Sequence, residues 1–210
     1  MRIGSVTLLV MVAGGIALGQ IASLMLRYDD ISYPNYRYQV RVSSLHSVDF
    51  QNFKVFWFDG EKPDRGARLR NGAFLRRFDG GLERVKLHKV NFIGPPQSRE
   101  QRVVMDLSWS DCGGSCTVVG LVQVFELRAG HPTVVQEIEY DAGAEKAGVQ
   151  FDPRSQVLTV KARRDDETPN CCPKTLDVMR FEWNGKEFVF RSAESEPVTN
   201  SKTDLSVGRR

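Results

Sequence analysis

The residues best suited to chemistry in this 210-residue chain are its four cysteines, which fall as two couples: Cys112-Gly113-Gly114-Ser115-Cys116 and Cys171-Cys172-Pro173. Thiols so placed can hold zinc, exchange electrons or staple the chain. Structural zinc sites favour two or more separated C-x₂₋₄-C knuckles, and only the 112–116 couple has that form. No C-x-x-C and no C-x-x-C-H occurs, so neither thioredoxin-like exchange nor covalent haem attachment has a motif. Disulfides remain, with three possible connectivities. A bond between Cys171 and Cys172 forces a strained ring on the backbone, and neighbours in an extended segment point to opposite sides. Each of them is therefore expected to pair with one of Cys112 and Cys116. Each bond would close a loop of about 55 residues, worth on the order of 2–4 kcal/mol. No metal and no cofactor is expected.

The other reactive groups are scattered. His46, His88 and His131 fall in unrelated segments, and neither G-x-S-x-G nor H-E-x-x-H is present. A pair of carboxylates can cleave glycosides, and Asp106, Asp111, Glu137 and Glu139 are available. Glu137 and Glu139 flank Ile138, which places both on the solvated face of a half-buried strand. Trp57, Trp109 and Trp183 could stack on sugars, but their alternating strand positions read as core. No catalytic residue is assigned, and the chain reads as a non-enzyme.

Charge carries one asymmetry. The net charge of +3 gives no argument for nucleic acid as a partner. Between Lys62 and Arg102, however, eleven Lys/Arg face four acids, a local +7. Arg65, Arg68, Arg70, Arg76, Arg77, Arg84 and Lys86 are the candidate docking residues for an acidic partner or anionic head groups. Charges that protect an edge strand are the plainer explanation.

The elements that must position these residues begin with an uncharged run of 24 residues, Ile3 to Leu26, preceded by Met1-Arg2. A helix needs about 20 apolar residues to span a bilayer core. Residues 1–26 are therefore expected as a transmembrane anchor. The alternative is a signal peptide cleaved after Ala17-Leu18-Gly19. In either case Arg2 favours the cytoplasmic side, and the chain beyond residue 26 is delivered outward. Gly15, Gly19 and Ser23 share one helix face and are the candidate helix-packing residues, a spacing that lets two helices approach closely in lipid. The expected partners are thus the membrane itself and a protein in it or on its outer face.

Residues 27–36 read as a juxtamembrane linker, 37–191 as a single antiparallel β-rich domain (sandwich, barrel or twisted meander), and 192–210 as a flexible tail. Tyr38–Val42, Phe53–Phe58 and Leu82–Phe92 read as strands, and Arg65–Gly72 as a turn-rich connection. Val103, Met105, Leu107 and Trp109 alternate with Val104, Asp106, Ser108 and Ser110, the period of a half-buried strand. Val118–Leu127 is apolar on both faces and reads as a central strand, turning into Val134–Tyr140. Val149–Phe151 and Val157–Ala162 are two further short strands. Asn184-Gly185 between Arg180–Trp183 and Lys186–Phe190 favours a two-residue type I′ hairpin.

Three of these stretches together, Cys112-Gly113-Gly114-Ser115, Cys171-Cys172-Pro173 and Phe181-Glu182-Trp183-Asn184-Gly185-Lys186-Glu187-Phe188, resemble the recurring elements of exported bacterial β-domains of the LppP/LprE-like lipoprotein type. The resemblance spans residues 48–190 and implies an exported β-domain at a bacterial inner membrane, without an established activity. Relatives often carry an acidic, glycine-rich loop before the strand leading to CGGS. This chain has Gly94 to Gln101 there, and Glu100 alone cannot supply the oxygen ligands of calcium. The lipobox cysteine is absent, which fits an anchor helix in place of a lipid.

Overall fold

The computed structural model describes residues 31–95, 97–98, 100–113, 116–143, 147–163 and 175–198. The expected anchor, its Gly15/Gly19/Ser23 face, the 171–172 couple and the tail beyond 198 lie outside the described residues. Among the described residues the fold is all-β, with two 3-10 turns (Leu45–Ser47 and Phe50–Asn52) and no helix long and apolar enough to cross a membrane.

Seven strands form the central sheet. β1 (Ile31–Ser32) and β2 (Tyr36–Arg37) both pair with β9 (His131–Asp141). Beyond β9 the order runs β8 (Cys116–Arg128), β7 (Arg102–Cys112), β6 (Gly81–Ile93) and β5 (Ala73–Phe78). β5 to β9 form an antiparallel meander. The hairpin of β3 (Lys54–Asp59) and β4 (Lys62–Arg68) stands apart, as does a four-stranded sheet of β10 (Gly148–Asp152), β11 (Val157–Arg163), β12 (Thr175–Trp183) and β13 (Phe188–Pro197).

Strand alternation explains how these pieces stack. On β7, Val103, Met105, Leu107 and Trp109 join one core with Val55, Phe58, Ala67 and Phe53 of the hairpin layer. Val104, on the opposite face, joins a second core with Phe151, Leu158, Val160, Phe181 and Phe188 of the four-stranded sheet. The molecule is therefore three-layered, and β7, β8 and β9 are buried on both sides along much of their length. That agrees with the reading of 118–127 as a central strand. It differs from the reading of 103–109 as half-buried, because a second sheet covers Val104 and Asp106.

Other boundaries move. Part of the expected linker enters the sheet as β1 and the start of β2, pairing Ile31 with Ile138 and Tyr36 with Val134. Tyr38–Val42 is no strand. Its backbone makes isolated bonds from Tyr38 N–H to Pro132 O (2.9 Å) and from Val42 N–H to Gly130 O (2.7 Å). β4 forms despite Pro63 and Gly66, and its end from Arg65 to Arg68 takes the start of the Arg65–Gly72 stretch read as a connection. Asn71-Gly72 does close a two-residue turn, with φ 52° and 78°, between Arg70 and Ala73. At Asn184-Gly185 the loop instead spans four residues, because Trp183 pairs with Phe188. The Asn184 carboxamide oxygen accepts from the N–H groups of Lys186 (2.8 Å) and Glu187 (2.9 Å), holding the longer loop. β13 extends to Pro197, into the segment expected as tail.

Candidate functional site

Cys112 and Cys116 stand opposite each other at the ends of β7 and β8, with Cα atoms 4.2 Å apart, and are bonded to each other. This corrects the expected clamp to Cys171 and Cys172: CGGSC is the tip of a hairpin, so its two cysteines are register partners. The bond staples a turn and leaves no long loop closed through these two residues.

Polar residues on the buried strands tie the layers together. Gln136 is fully buried on β9. Its carboxamide oxygen accepts from Phe188 N–H (2.8 Å) and its Nε2 donates to Phe188 O (2.9 Å), so the side chain acts as an extra strand for β13. On the other face Gln123 of β8 donates from Nε2 to Phe56 O of the hairpin and to Glu137 Oε2. Phe58 N–H donates to Glu137 Oε1 at 3.1 Å. Glu137, expected on a solvated face, is only 2% exposed because the β3–β4 hairpin folds over it. Burial pushes its carboxyl up to about 7, assisted by the charge of Glu139 and opposed by the bonds from Gln123 and Phe58.

Glu137 and Glu139 reach the floor of a cleft of about 360 Å³ between β9 and the hairpin tip, with Trp57, Asp59, Asp64 and Ser32 around it. Arg65 lies over the Trp57 ring, 5.4 Å from its centroid, and 3.4 Å from the Asp64 carboxylate. Trp57 is half-buried, whereas Trp109 is buried and donates its indole N–H to Glu83 Oε1 at 3.0 Å. Such a cleft suits a cationic or hydroxyl-rich group set against an aromatic wall. Of the other acids weighed for chemistry, Asp106 is buried on the far face. It accepts from the Tyr140 hydroxyl (3.2 Å) and is raised by burial to about 7, while that bond and Lys89 pull it down. Asp111 is exposed on β7.

The histidines all serve local bonds. His46 stacks on Phe92 with centroids 4.3 Å apart, and its Nε2 lies 3.2 Å from Gly94 O. His88 Nε2 lies 2.9 Å from Ser108 Oγ, and His131 Nδ1 lies 3.0 Å from Tyr38 O. Burial, then Lys86, lowers the His88 imidazole. Among the described residues, no three His, Cys, Asp or Glu side chains gather as a metal site requires.

The seven basic candidates do not share a surface. Arg65 and Arg68 belong to the hairpin layer, where Arg68 Nη1 donates to Asn52 O at 3.1 Å. Arg70 sits at the turn before β5. Arg76 faces the hairpin side and pairs with buried Glu83 (2.7 Å), so its charge is already used. Arg77, Arg84 and Lys86 point to the opposite face, as their register with Leu82, Ser110 and Ser108 requires. They are exposed and make no ion pair with any described residue. The four-stranded sheet packs on β7–β9 and reaches β6 only at its end, Ile93; among the described residues the rest of that face of β5 and β6, with Arg77, Arg84 and Lys86, is left uncovered.

Gln123 and Gln136 belong to no chemical motif, although a glutamine inside an otherwise apolar run such as Val122-Gln123-Val124-Phe125 is the one signal in the sequence of a buried polar contact. No protein-family model, no curated protein and no solved structure matches this chain.

Proposed function

We propose that this chain is a membrane-tethered, non-catalytic interaction domain working outside the cytoplasm as an accessory subunit of a larger membrane complex. One observation carries the reading: half of a central-sheet face is left open and cationic, with Arg77, Arg84 and Lys86 exposed on it and no carboxylate paired to them among the described residues. An uncovered face of one sign steers and orients an acidic partner. The uncharged run Ile3–Leu26 supports tethering by its length. Native purification in several detergents should yield a co-migrating protein. The triple variant Arg77→Glu/Arg84→Glu/Lys86→Glu should lose that protein while keeping its own circular dichroism. A lone monomer in every detergent would defeat the proposal.

A second reading has its own observation. Trp57 stands in one cleft with four carboxylates, an arrangement suited to a ligand-binding domain. Titrating the full chain with oligosaccharides and with polyamines should quench Trp57 fluorescence, and Trp57→Phe should abolish the signal. No response to either class eliminates the reading.

A further inference from the structure

We infer that β5 is an acceptor edge to which an extended, acidic protein segment adds as an eighth strand of the central sheet. This rests on the proposed docking role and names its mode and partner chemistry.

Native sheets guard their edges with very short strands, prolines, bulges, charges or covering segments. At the β9 end of this sheet the guard is plain: the strands beyond it, β1 and β2, are two residues each. β5 is different. It runs six residues in unbroken register with β6, from Ala73 opposite Lys86 to Phe78 opposite Gly81, without a bulge or a proline. Every residue but Phe74 is exposed, and Leu75 and Phe78 are apolar side chains 57% and 43% exposed. Its two charges are not equivalent guards, since Arg76 is drawn onto Glu83 and only Arg77 remains without an ion-pair partner among the described residues.

A strand laid beside β5 would satisfy the outward backbone groups of Leu75 and Arg77, those of Ala73 being bonded to Arg70 (N–H to Arg70 O 3.2 Å, O from Arg70 N–H 2.7 Å), which provides affinity, while its alternating side chains provide choice. On the open face the incoming residues would lie beside Leu75 and Arg77, with Arg84 and Lys86 one strand further in. An apolar residue followed two positions later by Asp or Glu fits that row. A second copy of β5 fits less well, because it would bring two such cationic rows together.

The test uses the full chain in detergent micelles and a panel of fluorescent ten-residue peptides. These carry Asp or Glu alternating with Val, Thr or Leu, alongside lysine-substituted controls and acidic peptides N-methylated at alternate amides. Acidic peptides should bind, slow hydrogen exchange at the outward amides of Leu75 and Arg77, and weaken at least tenfold on adding salt to 0.5 M. Arg77→Glu should weaken binding at least tenfold without altering the circular dichroism, and N-methylation should abolish it. Binding that leaves the Leu75 and Arg77 amides unprotected overturns strand addition while leaving face docking intact. Failure of every acidic peptide overturns both. Concentration-dependent protection of the Leu75 and Arg77 amides without peptide assigns the edge to a second copy and overturns the acidic partner. Equal protection by anionic phospholipid vesicles but by no peptide does the same in favour of a membrane surface.

Discussion

Glu137 shows how little of a residue's role lies in its own letter. An acid two positions from another acid on an alternating strand reads as solvated, and Glu139 is indeed partly exposed. Glu137 is enclosed only because β3 and β4, distant in sequence, fold across β9 and aim Phe58 N–H at it. Its consequence is a pH dependence whose sign is fixed. The folded-state value of about 7 lies above the ordinary 4.5, so the native protein holds a proton that the unfolded chain has released between those values. The stabilisation is complete below about 4.5 and is lost as pH rises through 7, on the order of a few kcal/mol. Asp106, raised by burial to about 7, acts in the same direction. Urea unfolding between pH 5 and 8 should therefore show stability falling with pH. Glu137→Gln, which keeps an acceptor for Phe58 N–H, should reduce that slope. An unchanged slope would remove Glu137 from the account.

At the scale of elements, legibility follows side-chain burial. β8 is readable because Val118–Leu127 is apolar on both faces, and it is covered on both. β4 and β5 are illegible because an exposed strand need not alternate: β4 holds Pro63 and Gly66, and β5 spends its positions on arginines. Tyr38–Val42 misleads the other way. Its alternation comes from Tyr38 (6% exposed) and Val40 (46%) on a segment bonded only at the β8–β9 turn. The cysteine pairing is within reach of the sequence, since strands on either side of CGGSC imply a hairpin that sets the two cysteines opposite each other. A disulfide with a sequence separation of 4 constrains far less chain than one closing about 55 residues, about 2 against about 4 kcal/mol in the chain-entropy account. Tryptic mapping without reduction should find the 103–128 peptide unlinked to any other and lighter by two hydrogens. The double variant Cys112→Ser/Cys116→Ser should keep the fold and lose at most about 2 kcal/mol. A peptide joined to the 171–172 region would restore the long clamp.

The whole molecule is two cores sharing three strands. Leu107, Leu121 and Phe125 face the hairpin core, while Val104, Val122 and Val124, their neighbours on the same strands, face the four-stranded sheet. Among the described residues neither outer layer has a partner other than the central sheet for its apolar face, and the central strands lose half their burial if either layer leaves. Gln136 adds a polar tie, since removing it strands both backbone groups of Phe188 in the interior. This arrangement predicts one cooperative transition rather than two. Leu158 is fully buried in the four-stranded-sheet core, far in sequence from Trp57 and Trp109, which pair 6.1 Å apart beside the other core. Leu158→Ala should cost about 2–5 kcal/mol, and Gln136→Ala about 2–4 kcal/mol from two orphaned groups. In a Trp183→Phe background the remaining tryptophans report on the hairpin side alone, and their unfolding midpoint in urea should fall together with that from far-ultraviolet circular dichroism. If Leu158→Ala leaves the Trp57/Trp109 transition in place while the dichroism splits into two steps, the four-stranded sheet is a separate folding unit. Shared strands would then not couple the cores.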